Sequence, residues 1–310
     1  MPSSTKLALY ASYQVGDSLP GYVRFALKHL AETDFTVILL TNKRPLSAET
    51  NSFLAENGID LYLTENHGFD FGMWRRFLRD VAQGRSRFTS LNSIERLLLV
   101  NDSIVYFQNN FAKFIQDAEK NPADAISLTT NCEVSPHQQS FFLYLKQEAL
   151  GAFYMHLMET PEQESFYDVV NRLEIGLAKT FTEAEVVQDS LFHTERPTLF
   201  SYEELIKQGC GFVKRKLLQH RFSRLEKMHF IRNKAYGALT ANYVELIKKA
   251  GLAEDFKKEW LPKPVGGPIR HAKDVLFEGS FHKVGWPLMR AAIKTKYRIL
   301  GRELKGDEYE

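Results

Sequence analysis

Apolar residues in the front half of the chain fall into short β-branched or leucine-rich runs, separated by segments with helical spacing. Residues 7–13 (LALYASY), 35–40 (FTVILL), 60–63, 94–100 (IERLLLV) and 125–128 read as strands. Between them, residues 21–30 (GYVRFALKHL), a segment through Ser52, Phe53 and Leu54, residues 73–81 and residues 111–118 repeat apolar positions at helical intervals. Strands alternating with helices predict βαβ crossovers. The fold class is therefore α/β, a mainly parallel central sheet with helices on both faces. Residues 139–145 (QSFFLYL) read as a further strand, antiparallel or at an edge, and from Gln147 onward the pattern is mostly helical. Three prolines and two glycines in residues 261–268 (LPKPVGGP) exclude regular structure and mark a boundary.

Composition changes this picture mainly by exclusion. The 310 residues are 44% hydrophobic and 25% charged, an ordinary globular balance that removes collagen-like and disordered classes. Cys132 and Cys210, the 2 cysteines, form no CxxC pair, so neither a zinc knuckle nor a disulfide framework is expected, and a reducing cytosolic compartment is the simplest reading. No run of 18 apolar residues occurs, and Met1 to Lys6 lacks the pattern of a secretory signal. The net charge of +2 hides an asymmetry: residues 1–200 hold 17 Lys and Arg against 25 Asp and Glu, residues 201–310 hold 23 against 13. A basic back half is expected to meet something anionic.

In an open α/β sheet, ligands bind at the carboxyl ends of the strands. Those ends are polar throughout: Ser12 and Tyr13 after the first strand, Asn42 after the second, Asn66 to Gly72 after the third, Asn101, Asp102 and Ser103 after the fourth. Gly68 and Gly72 bracket Asp70, and either glycine tolerates positive φ or close backbone approach. Neither GxGxxG nor GxxxxGK[ST] occurs, which argues against a Rossmann dinucleotide site and a P-loop. Asp102 follows the apolar Leu97 to Val100 and should emerge at the ligand edge. There it would hold a divalent cation or sugar hydroxyls, or else cap the following loop.

Five segments carry a resemblance: residues 68–78 (GFDFGMWRRFL), 97–103 (LLLVNDS), 137–150 (HQQSFFLYLKQEAL), 173–179 (LEIGLAK) and 197–218 (PTLFSYEELIKQGCGFVKRKLL). Together they resemble the rhamnan synthesis protein F family, which makes bacterial cell-surface polysaccharides and is similar to GT-A nucleotide-sugar glycosyltransferases. The resemblance spans residues 7–218, about two thirds of the chain. It implies a GT-A-like catalytic domain over residues 1–220 and a basic helical extension over 221–310. It also implies transfer of a sugar, L-rhamnose from a dTDP donor, to a growing lipid-linked glycan or polysaccharide. A UDP- or GDP-sugar donor, or a non-catalytic nucleotide-binding or glycan-binding module of an assembly complex, are the alternatives.

The same resemblance gives the polar ends their roles. Ser12 and Tyr13 would face the nucleobase, with Asn42 beside them on the donor side. Asn66, Gly68 and Asp70 would lie against ribose, diphosphate or sugar. Asn101, Asp102 and Ser103 stand where such enzymes carry Asp-x-Asp, so Mg²⁺ or Mn²⁺ would bridge Asp102 and the diphosphate. Arg75 or Arg76 would fork the diphosphate, or lie on a solvated helix face. Glu174 is the candidate general base for an inverting reaction, or a helix acid paired with Arg172 or Lys179, and Asp70 is the second candidate base. His137, Gln138 and Gln139 would shape the acceptor side, His137 alone being as compatible with a structural role.

Near the end of the chain, Arg290, Lys294, Arg298 and Arg302 recur every four residues beside Met289, Ile293 and Leu300, and residues 281–302 contain no acid. Such a basic amphipathic stripe fits an anionic membrane surface at the cytoplasmic face, or a helix packed on its own domain. No nucleic-acid-binding module stands out in the front half.

Overall fold

Alternation in the first strand decides which face each residue serves. In β1 (Thr5–Ser12), Leu7, Leu9 and Ala11 point into one hydrophobic layer while Ala8 and Tyr10 point into the other. The same division holds in the fourth strand, where Leu97 and Leu99 face one way and Leu98 and Val100 the other. A strand apolar on both faces must be covered on both, and it is. The computed structural model describes residues 5–215 apart from 66, 88–89, 132–134, 166–167, 195–197 and 200.

In chain order the elements are β1, α1 (Gly21–Ala31), β2 (Thr36–Asn42), α2 (Ala48–Glu56), β3 (Asp60–Thr64), α3 (Phe69–Ala82), β4 (Ile94–Asn101), β5 (Ile104–Tyr106) and α4 (Phe111–Lys120). Then follow β6 (Ala125–Asn131), β7 (His137–Gln138), β8 (Phe142–Lys146), α5 (Gln147–Glu159), a π-helix (Val169–Ile175), α6 (Gly176–Glu183), β9 (Gln188–Phe192), α7 (Tyr202–Lys207) and β10 (Phe212–Lys214). The main sheet has the order β3-β2-β1-β4-β8-β6-β7, with β9 also pairing β6. β3, β2, β1 and β4 are mutually parallel, in registers such as Leu9 beside both Ile38 and Leu99. β8 runs antiparallel to both β4 and β6. β5 and β10 form a separate antiparallel pair.

The α/β class with a mainly parallel sheet covered on both faces is as the pattern predicts. Two details differ. The strand expected over 139–145 starts only at Phe142, as β8, with the separate short β7 just before the expected segment, and β8 lies inside the sheet between β4 and β6. It is buried on both faces, which explains why its Phe142 to Leu145 carries no polar alternation. Beyond Gln147 the chain also forms β9 and β10 among the helices. The boundary at 261–268, the division at 220 and 221, and the stripe of Arg290, Lys294, Arg298 and Arg302 lie outside the described residues. Among the described residues no helix is long and apolar enough to cross a membrane.

Because β1, β2, β3 and β4 are parallel, their carboxyl ends open on one edge. That edge receives Ser12, Asn42, Thr64 and Asn101, the polar terminal residues of four hydrophobic strands.

Candidate functional site

The loop after β3 turns sharply to start α3. Gly68, preceding the helix, has φ 72, and Phe69 follows at φ 54, a left-handed conformation that a bulky residue rarely adopts. Gly72 donates its N–H to the Gly68 carbonyl at 2.7 Å. A Cβ on Gly72 would stand 1.9 Å from the His67 carbonyl oxygen, so only glycine fits there. This tight entry places Asp70 in the first turn of α3, facing the end of β4.

Asn101, the last residue of β4, ties the two together. Its Nδ2 donates to Asp70 Oδ2 at 2.5 Å, and its Oδ1 accepts from the Ser103 N–H at 3.1 Å and the Ser103 hydroxyl at 2.6 Å. The other Asp70 oxygen accepts from the Phe71 N–H at 2.9 Å. Burial of the Asp70 carboxyl, reinforced by the nearby negative charges of Glu174 and then Asp102, pushes its pKa up to about 7 against the pull of these hydrogen bonds. Carboxylates from α3, the π-helix and the turn after β4 therefore act on one spot.

Asp102 lies just beyond. Its Oδ2 accepts from the Ser12 hydroxyl at 2.9 Å and from Gln14 Nε2 at 3.1 Å, and pairs with Arg215 Nη1 at 3.1 Å. Burial raises its pKa while the Arg215 charge and these donors oppose the rise. Arg215 follows β10, donates its backbone N–H to the Ser103 carbonyl at 2.8 Å, and donates from Nη1 to the Tyr22 hydroxyl at 2.7 Å. Asn42 holds the loop after β1 by accepting from the Gln14 N–H at 3.0 Å and donating to the Gln14 carbonyl at 2.9 Å. Tyr13, next in that loop, is exposed.

Glu174 sits on the π-helix, a wide turn of the kind that often marks functional positions. Its Oε1 accepts from the Ser140 N–H at 2.7 Å. Arg172 pairs with Asp168 and Lys179 with Glu183, so the helix-pair alternative for Glu174 does not hold. His156 of α5 braces the turn: its Nε2 lies 3.1 Å from the Leu173 carbonyl and its Nδ1 2.8 Å from the Thr180 hydroxyl. Burial holds the His156 pKa below its usual value.

Other expected residues serve the scaffold. Arg75 spends its guanidinium on the Thr160 carbonyl at 2.7 Å and the Met158 carbonyl at 3.2 Å, at the end of α5. Arg76 clamps the loop before α3 through Thr64 Oγ1 at 2.7 Å, the Glu65 carbonyl at 2.6 Å and Glu162. Neither points a free fork at the cleft: the helix that begins at Phe69 turns both toward backbone carbonyls that need donors. His137, Gln138 and Gln139 are buried. Gln138 stitches the carbonyls of Ala125 and Asp189, and Gln139 accepts from the Thr129 and Thr198 hydroxyls. His137 donates from Nδ1 to the Ser135 carbonyl, 2.8 Å away. Their neighbour Ser140 is the residue that reaches the site. Asn66 lies outside the described residues.

Gln14, Tyr22, Ser140 and Arg215 join the site without a local signal in the sequence. Arg215 is one of six cations between residues 214 and 227, and nothing nearby distinguishes it from a surface charge. The residues fit a divalent cation poorly. Among the described residues no three His, Cys, Asp or Glu side chains converge as ligands. The one acid of the Asn101-Asp102-Ser103 triplet already holds three donors on Oδ2, one of them a guanidinium.

No curated protein matches this sequence. Among solved structures, the chain is similar to a cytidylyltransferase from Leptospira borgpetersenii at 13% identity and TM-score 0.39, covering 80% of this chain and 95% of that one. It is similar to the glycosyltransferase GlyE of Streptococcus pneumoniae at 13% identity and TM-score 0.38, covering 84% and 66%. It is also similar to glucosyl-3-phosphoglycerate synthase from Mycobacterium tuberculosis at 11% identity and TM-score 0.35, covering 64% and 75%. The family model described as rhamnan synthesis protein F matches residues 37–251.

Proposed function

We propose, from the premise that the chain belongs to the rhamnan synthesis protein F family, that it is a GT-A-type glycosyltransferase using a nucleotide-sugar donor. The sugar is L-rhamnose, carried by dTDP, and the acceptor is a growing cell-surface glycan. The family's own description, a rhamnan, supports the rhamnosyl assignment. The protein works at the cytoplasmic membrane face, where a lipid-linked acceptor would be met.

One observation carries the catalytic reading: Asp70, whose pKa stands at about 7, lies at the ligand edge of the sheet beside Asn101 and within the field of Glu174 and Asp102. A general base is most effective when its pKa lies near the working pH. Asp70 therefore takes precedence over Glu174 as the group that accepts the proton of the acceptor hydroxyl. Glu174, fixed by the Ser140 N–H, is the charge that helps keep Asp70 basic. The acceptor oxygen then attacks the anomeric carbon from the face opposite the diphosphate, which departs, and the configuration inverts.

The full chain incubated with dTDP-L-rhamnose and a rhamnan acceptor should release dTDP, and Asp70→Asn should lower that rate by about 10²–10⁴-fold. Release from a UDP- or GDP-sugar alone would reassign the donor. Nucleotide binding without release from any donor would make the protein a binding module.

A further inference from the structure

The positive charge that a diphosphate needs is already built into the described site. Arg215 stands at the end of β10, where two backbone links fix it: β10 pairs with β5, and the Arg215 N–H reaches the Ser103 carbonyl. Its side chain is 31% exposed, whereas the Asp102 side chain beneath it is 14% exposed, so the cation rather than the anion is presented to the cleft. Both of its hydrogen-bonding side-chain contacts use Nη1, toward Asp102 and Tyr22, which leaves Nε and Nη2 uncommitted among the described residues. Two adjacent N–H groups on a planar guanidinium form the fork that matches two phosphate oxygens.

The floor around it is polar and incompletely used. Tyr10 and Tyr106 are buried, and among the described residues their hydroxyls have no hydrogen-bond partner. Tyr10 lies within electrostatic reach of Asp102, Arg215, Tyr22 and Tyr106. Asp102, for its part, is held by Ser12, Gln14 and Arg215 on a single oxygen, which saturates that oxygen, and a divalent cation on the same carboxylate would stand beside the guanidinium charge that already pairs with it. The triplet that would anchor a cation anchors an arginine.

We propose that Arg215, oriented by Asp102 and Tyr22, binds the donor's diphosphate and neutralises its charge as it leaves, so that nucleotide binding needs no divalent cation. This deepens the nucleotide-sugar reading above and rests on it. Asp102 acts as the positioning residue for the guanidinium and not as a metal ligand.

The test is calorimetric titration of the full chain with dTDP, UDP and GDP, in excess EDTA and again with Mg²⁺ or Mn²⁺. The preferred nucleotide should bind with the same affinity in both conditions. Arg215→Gln should weaken it by about 10–100-fold, the value of a charge-assisted contact, with Arg215→Lys in between. Because Arg215→Gln leaves Asp102 buried without its partner, the double variant Asp102→Asn with Arg215→Gln controls for folding. It should regain thermal stability and still fail to bind. Wild-type binding that appears only with metal would overturn the inference and leave the nucleotide-sugar reading standing. Unweakened binding by Arg215→Gln or the double variant would overturn it equally. If the wild type bound none of the three nucleotides in either condition, the nucleotide-sugar reading itself would fall, and this inference with it.

Discussion

At the scale of single residues, Asp70 links chemistry to stability. Its folded pKa of about 7 stands above the ordinary 3.8, so between those values the folded protein holds a proton that the unfolded chain has released. Stability conferred by that proton is present below about pH 4 and is lost as pH rises toward 7. Asp70→Asn has no such proton to lose. The melting temperature of the variant minus that of the wild type should therefore climb between pH 4 and 7 and be flat outside that window, which a pH series of thermal melts will show. In the same site, Glu174→Gln removes a negative charge beside Asp70, so the acid limb of the rate profile should move to lower pH. An unmoved limb would mean that Glu174 does not act on Asp70. The sequence marked Asp70 by its flanking glycines and Asp102 by the apolar run before it. It could not mark Arg215 or Gln14, because the partnership of each with Asp102 spans a long stretch of chain.

Among the elements, strand runs were the most legible, since a strand buried on both faces needs continuous apolar residues, as in β1, β2 and β4. β9 was hidden because its QDSLF sequence is half polar and is held by pairing to β6 rather than by composition. The π-helix left no trace in the spacing, because its extra residue per turn is stabilised from outside by His156. For the Leu173 carbonyl to be satisfied, His156 must carry its proton on Nε2, with Nδ1 accepting from the Thr180 hydroxyl. His156→Leu removes that donor and frees the turn that carries Glu174. The expected result is a loss of kcat of about tenfold or more, in line with misplacing a charged group in a site, together with the downward shift of the acid limb described for Glu174→Gln. His156→Gln, which can still donate to Leu173, should restore both. A change in melting temperature with an unchanged pH profile would reduce His156 to a packing role.

For the whole molecule, the charge asymmetry is the property that composition alone revealed: an excess of acids up to residue 200 and of bases after it. The described residues contain the acidic part and the first three of the later bases, Lys207, Lys214 and Arg215, the last of which pairs with Asp102. The stripe of Arg290, Lys294, Arg298 and Arg302 is proposed to meet anionic lipid, at about 1 kcal/mol per residue near the surface. Full-length chain should co-sediment with vesicles containing phosphatidylserine and not with neutral vesicles, and should be released as salt rises past physiological strength. Replacing all four cations with glutamine should abolish the difference. Equal sedimentation of this variant and the wild type would assign the stripe to packing within the protein.

The contacts that fix Arg215 also set a clock. Arg215 and its partner Tyr22 are separated by 193 positions, so at ribosomal speeds of about 5–20 residues per second roughly 10–40 s pass between the synthesis of the two. During the latter part of that interval, once Asp102 has been made, the nascent chain has this buried acid but not the guanidinium that pairs with it. Asp102 is therefore paired only by one of the last described residues to be made, and a chain released before β10 would carry the main sheet with that carboxylate buried and without its cation.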